Sequence, residues 1–595
     1  LPCASSRMLY NECMDNQKIA DVFSEIGDIL DIQGVDFFRV NAYRRAAQTI
    51  AHIPYTLGDE YLKTGTFEKI PGIGVELSKK IIELITTGRS LYHDELVASV
   101  PKGLLEMLRV RTVGPKKVKL FFGTLGIENL KQLKKAALAG RLRGLPKMGE
   151  KSEAEILKAI EEYETMPHGR RLFHEAFLEA KRLVAYIGKF PAVSQVQYAG
   201  SLRRGVETIG DIDILCAPKK MSGRIVSDIM DYYAQYPEIS LVMNRGETKS
   251  SVLLKTGIQV DLRVVDSQIF GAALHYFTGS KQHNIRVRDR AKQKGLKVSE
   301  YGVFKISGKK ETLIGGATEE EIFRAVGLPY IIPEMREDRG EVAYGLKHGK
   351  MPDVIDLDDL RSDLHTHSTW SDGSEDIETL ASVYKKAGFE YMALTDHSKM
   401  VGVTGGMSDA RVVEQWKEID AVQKKLGTFR ILKGSEVDIL KDGSLDFSES
   451  VLKKLEVICA STHLYHGLSE SDQTKRILRA VSSGYVKILS HPMGRLINQR
   501  KAISFDMEAV FQACADYHVA LEINASPERM DLDDTHVRLA KTFGCRFAIN
   551  SDAHHSSHLS YLQYGVMTAR RAWLDKKDVI NTMTLKELLK YWKLR

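Results

Sequence analysis

The stretch from Gly200 to Leu215 reads GSLRRGVETIGDIDIL and combines a Gly-Ser turn, paired arginines and paired aspartates. Successive side chains on a β-strand alternate faces, so Asp211 and Asp213 project together while Ile212 and Ile214 face a core. Carboxylates so aligned repel unless a divalent cation lies between them, and all-oxygen ligation suits Mg²⁺ or Mn²⁺. Gly200 and Ser201 would let the backbone approach a phosphate, with Arg203 or Arg204 neutralising its charge. Metal-dependent phosphoryl transfer is therefore expected here; a surface strand with an Asp-rich edge is the plainer alternative.

Two nearby groups could share that chemistry. Asp261 stands within the apolar run Gly257-Ile-Gln-Val-Asp-Leu-Arg-Val-Val, where a lone charge is costly. It is expected as the third carboxylate of the same site, against the alternative of a strand-end ion pair with Arg263. His275-Tyr-Phe-Thr-Gly-Ser then enters a helix on which Asn284 and Arg288, four apart, share one face. The aromatic pair before that turn could pack on a sugar or a base.

A different set of ligand-type residues fills the last third. Seven apolar runs end in an imidazole, carboxylate or amide: Leu364-His365-Thr-His367, Met392 to His397, Leu432 to Glu436, Ile458 to His463, Ile488 to His491, Ala520 to Asn524, and Ala548 to Asp552-Ala-His554. A parallel β/α barrel gathers the carboxyl ends of its strands on one face, so distant residues could converge there. One histidine after a strand is usually structural, but a series of strand-end ligands is not. Mixed His and Asp/Glu ligation suits Mn²⁺, Zn²⁺ or Fe²⁺ better than Mg²⁺, which predicts a second centre of different chemistry.

Elements must hold these groups in place. From Asn16 to about His52 apolar residues recur at three and four (Ile19, Val22, Phe23, Ile26, Ile29, Leu30), which predicts helices. Ile70-Pro-Gly-Ile-Gly-Val sets Gly72 and Gly74 between an apolar lead and a helix. This is the signature of a helix-hairpin-helix turn, whose backbone N–H groups can face a DNA phosphate. It recurs at Thr112-Val-Gly-Pro-Lys-Lys-Val, with Gly114, Lys116 and Lys117, and in degenerate form at Gly144-Leu-Pro-Lys-Met-Gly-Glu-Lys. Repetition favours sequence-independent DNA binding over a purely structural helical array. Residues 328 to 360 are polar, punctuated by Pro and Gly, and are expected to form a partly packed connection between domains, longer than a domain's usual loops.

A chain of 595 residues accommodates three or four domains. The net charge of +7 is modest, yet the basic residues cluster (Lys116, Lys117, Lys119; Lys131, Lys134, Lys135; Arg141, Arg143, Lys147), which points to a polyanion contacted over one region. Cysteines at 3, 13, 216, 459, 514 and 545 form no CxxC pair, so Cys216, Cys459 and Cys545 are expected as small core residues in a reducing cytosol. No apolar run reaches the ~18 residues that span a bilayer. The first thirteen residues lack an initial Met and an apolar signal core; Met14 is the more natural start, so 1–13 is expected to be an unstructured leader.

Taken together, NAYRRAA, two helix-hairpin-helix turns, GSLRRG, GDIDIL, VDLR and YFTGS occur in the order found in family X DNA polymerases, the group that includes DNA polymerase beta. Residues from about 15 to 330 resemble that family. The resemblance implies that Asp211, Asp213 and Asp261 hold two catalytic Mg²⁺ or Mn²⁺ ions. It further implies that Gly200, Ser201 and Arg204 hold the triphosphate, that Tyr276, Phe277 and Gly279 line the nucleotide sugar, and that Asn284 and Arg288 contact the nascent base pair and template. Lys80 falls where the family's lyase nucleophile lies and Arg39 keeps a neighbouring charge, but Glu76 stands where a lysine would help bind a 5′-phosphate. Gln259 occupies the position, two before Asp261, where DNA polymerase beta has an arginine.

Residues 361 to about 570 resemble a PHP (polymerase and histidinol phosphatase) domain, a seven-stranded barrel with a three-metal phosphoesterase site. By that resemblance one metal takes His365, His367, Glu436 and Asp552, a second Glu436, His463 and His491, and a third Asp372, His397 and His554.

The expected architecture is multidomain: a leader (1–13), a helical DNA-binding, lyase-like domain (14–96), fingers with the second helix-hairpin-helix (97–168), an α+β nucleotidyltransferase palm (169–265), a thumb (266–327), a linker (328–360) and a (β/α)7 PHP barrel (361–595). The expected activity is gap-filling DNA synthesis in repair, joined to 3′-5′ exonuclease and 3′-end or abasic-site processing. The expected partners are gapped or nicked DNA and deoxynucleoside triphosphates, with no membrane, for a cytoplasmic, nucleoid-associated monomer. Alternatives are a DNA-end-binding scaffold with residual chemistry, and a template-independent nucleotidyltransferase fused to a small-molecule phosphatase.

Overall fold

The computed structural model describes residues 16–593 apart from 52–56, 59–60, 62–64, 67–69, 71–72, 109, 111, 166–169 and 309; the leader expected at 1–13 and Gly72 lie outside the described residues. Contacts divide the chain into two units, 1–168 and 169–595.

In the first unit the apolar spacing builds helices α1 (Asn16–Gln33) and α2 (Phe37–Ala51), with Ile19, Phe23, Ile26, Ile29 and Leu30 buried. Three helices then start directly after a glycine: α3 (Val75–Thr87) after Gly74, α4 (Pro115–Leu125) after Gly114, and α5 (Glu150–Thr165) after Gly149. Before each of them a backbone bond recurs, in which Ile73, Val113 and Met148 donate their N–H to the carbonyls of Ile70, Val110 and Leu145 at 3.0–3.1 Å. The degenerate third copy thus shares this hydrogen bond with the other two.

The second unit holds a five-stranded sheet where a palm is expected, with strands β1 (Val193–Tyr198), β2 (Asp211–Pro218), β3 (Ile239–Arg245), β4 (Lys249–Leu254) and β5 (Gln259–Val264), in the order β1-β2-β5-β4-β3. The central pair β2/β5 is parallel. Ile212, Ile214 and Cys216 join the core beneath α6 (Phe173–Gly188) and the helix Gly223–Ala234. Leu215 and Ala217, on the other face of β2, pack with Phe270, Ala273 and Leu274. That second face opens with Asp211 and Asp213, as strand alternation requires. Helices α7 (Phe270–Thr278) and α8 (Lys281–Gln293), the antiparallel strands β6 (Leu296–Ser299), β7 (Gly302–Ser307) and β8 (Lys310–Gly315), and α9 (Glu319–Val326) follow. Gly271 is required here, because a Cβ would lie 2.1 Å from the Thr318 backbone.

Residues 328–360 are partly packed. They hold a helix, Glu341–His348, and bury Ile331, Met335, Arg336, Glu341 and Ile355.

Seven parallel strands complete the chain, paired in sequence order: β9 (Ser362–Asp363), β10 (Tyr391–Leu394), β11 (Arg430–Asp438), β12 (Val457–Ser461), β13 (Ile488–Leu489), β14 (Ala520–Asn524) and β15 (Phe547–Asn550). A Thr366–Ala553 bridge links the first strand's end to the last, so the barrel is nearly closed. Leu364, Ala393, Leu432, Val457, Cys459, Ile488, Ala520 and Ala548 form one cluster with Leu588 and Trp592. Packing between strands and helices forms the second, larger core. Among the described residues no helix is long and apolar enough to cross a membrane, and Cys216, Cys459, Cys514 and Cys545 are buried thiols.

Candidate active sites

On the palm, the parallel register places Asp213 opposite Asp261 and Asp211 opposite Gln259, so three carboxylates meet at the ends of two adjacent strands. Gly200 is needed twice there: its φ is +64°, and a Cβ would lie 2.6 Å from the Asp213 carboxylate. Burial, then Asp211 and Asp261, push the Asp213 carboxyl up to about 6. This clustered, partly frustrated negative charge fits divalent cations. Asp261 does not pair with Arg263. Its oxygens take Lys249 Nζ at 2.6 Å and Gln259 Nε2 at 3.0 Å, and these bonds outweigh burial to hold its carboxyl below the ordinary value. Lys249, on the neighbouring strand, therefore supplies a cation beside Gln259.

The two arginines of the turn after Gly200 have different fates. Arg203 forms a fork with Glu319 at 2.8–2.9 Å and donates to Thr278 Oγ1, so it fastens the palm to α9. Arg204 donates Nε to Glu337 (3.0 Å) and Nη1 to the Thr278 carbonyl (2.6 Å), and its Nη2 has no protein hydrogen bond among the described residues. Gly279, at φ +70°, lies against Arg204, since a Cβ there would come 3.2 Å from Nη1. Tyr276 and Phe277 meet edge to face at 5.2 Å, and the Arg263 guanidinium covers the Phe277 ring at 4.3 Å. Asn284 is buried and donates to the Tyr276 carbonyl at 2.7 Å, whereas Arg288 on the same helix is exposed. Ser201 lies in the helical turn Gly200–Arg203.

In the first unit, Gly74 and Gly114 have φ of −81° and −95°, which any residue can adopt, and a Cβ on either would meet no atom within 4 Å. Among the described residues nothing crowds either glycine, so the backbone there is open to close approach from outside. Lys116 is exposed beside Gly114, while Lys117 Nζ donates to the Thr112 carbonyl at 2.7 Å. Lys80 Nζ lies 4.0 Å from the Tyr92 ring centroid, Arg39 donates to the Tyr92 hydroxyl, and Glu76 pairs with Lys79.

The barrel brings all nine predicted ligands together. Alternation carries inward positions of several strands into the site: Ala393 leads to His397, Leu432 to Glu436, Cys459 to His463, and Ala548 to Asp552 and His554. Glu436 is central. Its Oε2 lies 3.3 Å from His365 Nε2, 3.5 Å from His367 Nε2 and 3.0 Å from His397 Nδ1, and its Oε1 lies 3.2 Å from His463 Nε2 and 2.8 Å from His491 Nε2. Asp552 Oδ1 approaches His367 Nε2 at 3.2 Å, and Asp372 Oδ2 approaches His554 and His397 at 3.3 and 3.5 Å.

Three ligand groups suit a metal: His367, Asp372, His397 and His554; His365, His367 and Asp552; and His397, Glu436 and His463. Compared with the expected sets, His367 is shared between two groups and His397 joins Glu436. Among the described residues, buried imidazole nitrogens of His365, His367 and His397 have no hydrogen-bond partner, as a metal site requires. Burial would raise the Glu436 and Asp552 carboxyls, but the surrounding histidines hold both well below the ordinary value, so they remain anionic ligands. His491 and Asp552 have φ of 29° and 54°, a costly backbone for non-glycine residues that concentrates at functional sites.

Sequence reasoning missed the groups that hold these ligands. Glu522, wholly buried, accepts from His365 Nδ1 (2.7 Å), the His491 N–H (2.8 Å) and Asn550 Nδ2 (2.8 Å), and so turns His365 Nε2 toward Glu436. A charge inside the apolar run ALEIN was the available signal, the same one that identified Asp261. Asn524, expected at the strand end as a ligand type, instead donates to Glu522 and Asp552. Arg529 reaches Asp552 at 3.6 Å. Lys249, Glu319 and Glu337 left no local mark.

Four family models match stretches of the chain. Residues 14–90 match a helix-hairpin-helix domain, 104–162 a SAM-like helix-hairpin-helix tandem, 273–337 the DNA polymerase beta thumb and 363–526 the PHP domain. The DNA polymerase/3′-5′ exonuclease PolX of Bacillus subtilis (strain 168) is 34% identical over 578 residues, covering 97% of this chain and 99% of that protein. A probable phosphatase of Thermoanaerobacter sp. (strain X514) is 31% identical over 244 residues, covering 38% of this chain and 94% of its own. A probable phosphatase of Shewanella baltica (strain OS195) is 32% identical over 168 residues, 28% of this chain and 61% of its own.

Proposed function

The chain belongs to the family X DNA polymerases that carry a C-terminal PHP domain, the PolX group, and from that we propose that it fills short gaps in DNA with its palm and trims or repairs 3′ ends with its barrel. The observation that carries this reading is the presence in one chain of two unlike ligand sets, three carboxylates on adjacent palm strands and an imidazole-rich cluster at the mouth of a parallel barrel.

On the palm, Asp211, Asp213 and Asp261 would hold two Mg²⁺ or Mn²⁺ ions, which lower the pKa of the primer 3′-hydroxyl and stabilise the in-line displacement. Arg204 and Ser201 hold the triphosphate, with Gly200 keeping the backbone clear of Asp213. Tyr276, Phe277 and Gly279 bear on the sugar, and Asn284 and Arg288 on the nascent pair. The glycine turns at Gly74 and Gly114, with Lys116 and Lys117, grip DNA phosphates without reading sequence.

In the barrel, His365, His367, Asp372, His397, Glu436, His463, His491, Asp552 and His554 would hold up to three ions, Mn²⁺ foremost and Zn²⁺ or Fe²⁺ as alternatives, which activate water and neutralise the phosphodiester. Glu522 fixes the His365 tautomer, and Asn524 orients Asp552. Tethering favours DNA over a small phosphate ester as the second substrate, because the palm's product is present at high effective concentration.

The test is a one-nucleotide gap assay with Mg²⁺ and with Mn²⁺. Changing His365 and His367 together to Ala should abolish degradation and leave templated extension intact, whereas Asp213→Asn should slow extension by a factor on the order of 10²–10³. Loss of both activities in the histidine variant, or extension that ignores the template base, would sink the reading.

A further inference from the structure

Arg204 keeps Nη2 without a protein hydrogen bond among the described residues, and the carboxylate that holds its Nε is shared with an arginine of the barrel. Glu337 Oε1 accepts from Arg204 Nε at 3.0 Å and also from Arg571 Nη1 at 2.8 Å. Arg571 ends helix α10 (Leu562–Arg571) of the barrel, and its Nη1 also donates to the Arg204 carbonyl at 2.6 Å. Its Nη2 pairs with Asp534 at 3.0 Å, and Asp534 in turn takes Arg339 at 2.7 Å. The Arg571 and Glu337 side chains are 8% and 16% exposed, so this chain of charges is largely screened from water. Burial would raise the Glu337 carboxyl, but Arg204 and Arg571 outweigh it and keep the group ionised.

Two further contacts fix the same loop. Met567, one turn before Arg571, fills the space over Gly205, where a Cβ would come 2.2 Å from its sulfur. Arg495, four residues after the barrel ligand His491, donates Nη2 to Glu207 at 2.6 Å and to the Met530 carbonyl at 2.6 Å. Residues 204, 205 and 207 of the phosphate turn are thus each seated against the barrel.

We propose that the barrel forms one wall of the nucleotide pocket, with Arg571 and Glu337 acting as positioning residues that hold Arg204 for the incoming nucleoside triphosphate. Two cations share one carboxylate, so Glu337 binds the Arg204 Nε edge while Arg571 pins its backbone, and rotation of the guanidinium is restricted before the phosphates arrive. Such preorganisation favours binding of the triphosphate more than the chemical step. The barrel would thereby act on nucleotide affinity without lending an atom to the chemistry.

This rests on the reading of Arg204 as a triphosphate ligand, and the experiment separates the two. Single-nucleotide gap extension is measured on the full chain for wild type, Arg204→Ala, Glu337→Gln, Arg571→Met, Arg571→Lys and the Arg204→Ala/Arg571→Met pair, with 3′-end degradation of single-stranded DNA measured in parallel. Arg571→Met and Glu337→Gln should each raise KM for the nucleotide about tenfold and move kcat by less than about twofold. Arg571→Lys should recover part of the loss, and Arg571→Met should add nothing in the Arg204→Ala background. Degradation should be unchanged in all of them. If Arg204→Ala raises KM but Arg571→Met and Glu337→Gln do not, the positioning role is overturned; if Arg204→Ala itself has no effect, the triphosphate reading falls and takes this inference with it. Should Arg571→Met also lose degradation, Glu337→Gln, which leaves the barrel sequence intact, decides the matter.

Discussion

Asp213 carries the sharpest consequence at the scale of single residues. Burial, with Asp211 and Asp261 nearby, sets its carboxyl at about 6, so below that pH a divalent ion must displace a proton to bind. The apparent metal requirement for extension should accordingly steepen as pH falls through 6 and level off above 7, which a metal titration between pH 5 and 8 would read directly. Glu522→Gln makes the matching test in the barrel. Loss of the charge that orients His365 should lower degradation by about 10–100-fold while extension stays put, as assayed on the two DNA substrates. The aspartates were legible because strand alternation is local and aligns residues two apart. Glu522 carried the same buried-charge signal as Asp261, but its role was not legible, since its partner His365 lies 157 positions away; Glu319 and Glu337, with partners 116 and 133 positions away, left no local mark.

At the scale of elements, the hairpin turns and the thumb helix make separable claims. Gly114 has an ordinary φ and open space around it, so Gly114→Ala should cost no more than the helix-cap penalty of about 1 kcal/mol in thermal stability. The same change should weaken DNA binding severalfold and equally across sequences, as fluorescence anisotropy at several salt concentrations would report. Helix α9 is held differently. Glu319, 5% exposed, lies between Arg203 and the fully buried Arg336. Burial alone would raise its carboxyl, but the two arginines hold it far below the ordinary range. A depressed carboxyl stabilises the fold fully above the unfolded value of about 4.3 and loses that contribution as pH falls toward the folded value. Glu319→Gln should therefore lower protection of the α9 amides by about 3 kcal/mol at pH 7, and the gap from wild type should narrow below pH 4 in hydrogen exchange. The three hairpin turns were visible as repeated Gly spacing, including the degenerate copy ending at Gly149, because a turn is written in contiguous residues.

Across the whole molecule, sequence pattern foretold the helical first unit, the palm strands and the sequential parallel barrel, each of which follows from local periodicity. Residues 328–360, expected as a partly packed connection, hold two charges whose burial no local pattern marks: Arg336 and Glu341 are fully buried, Arg336 against Glu319 and Glu341 against His283. Polarity marks exposure only where no distant partner neutralises it. The palm core tells a related story, since Ile497, Met530 and Tyr564 of the barrel belong to the same apolar cluster as Phe173, Leu202 and Ile212. A fragment ending near residue 360 should consequently aggregate or melt well below the full chain in scanning fluorimetry, while point changes at His365 and His367 leave the melting profile of the palm intact. Fusions joined by a slack tether can be undone in evolution by deleting either partner, but this one behaves as a ratchet. Once each half covers the other's apolar surface, a lineage can silence one activity by point mutation and still must keep the silent half as scaffold.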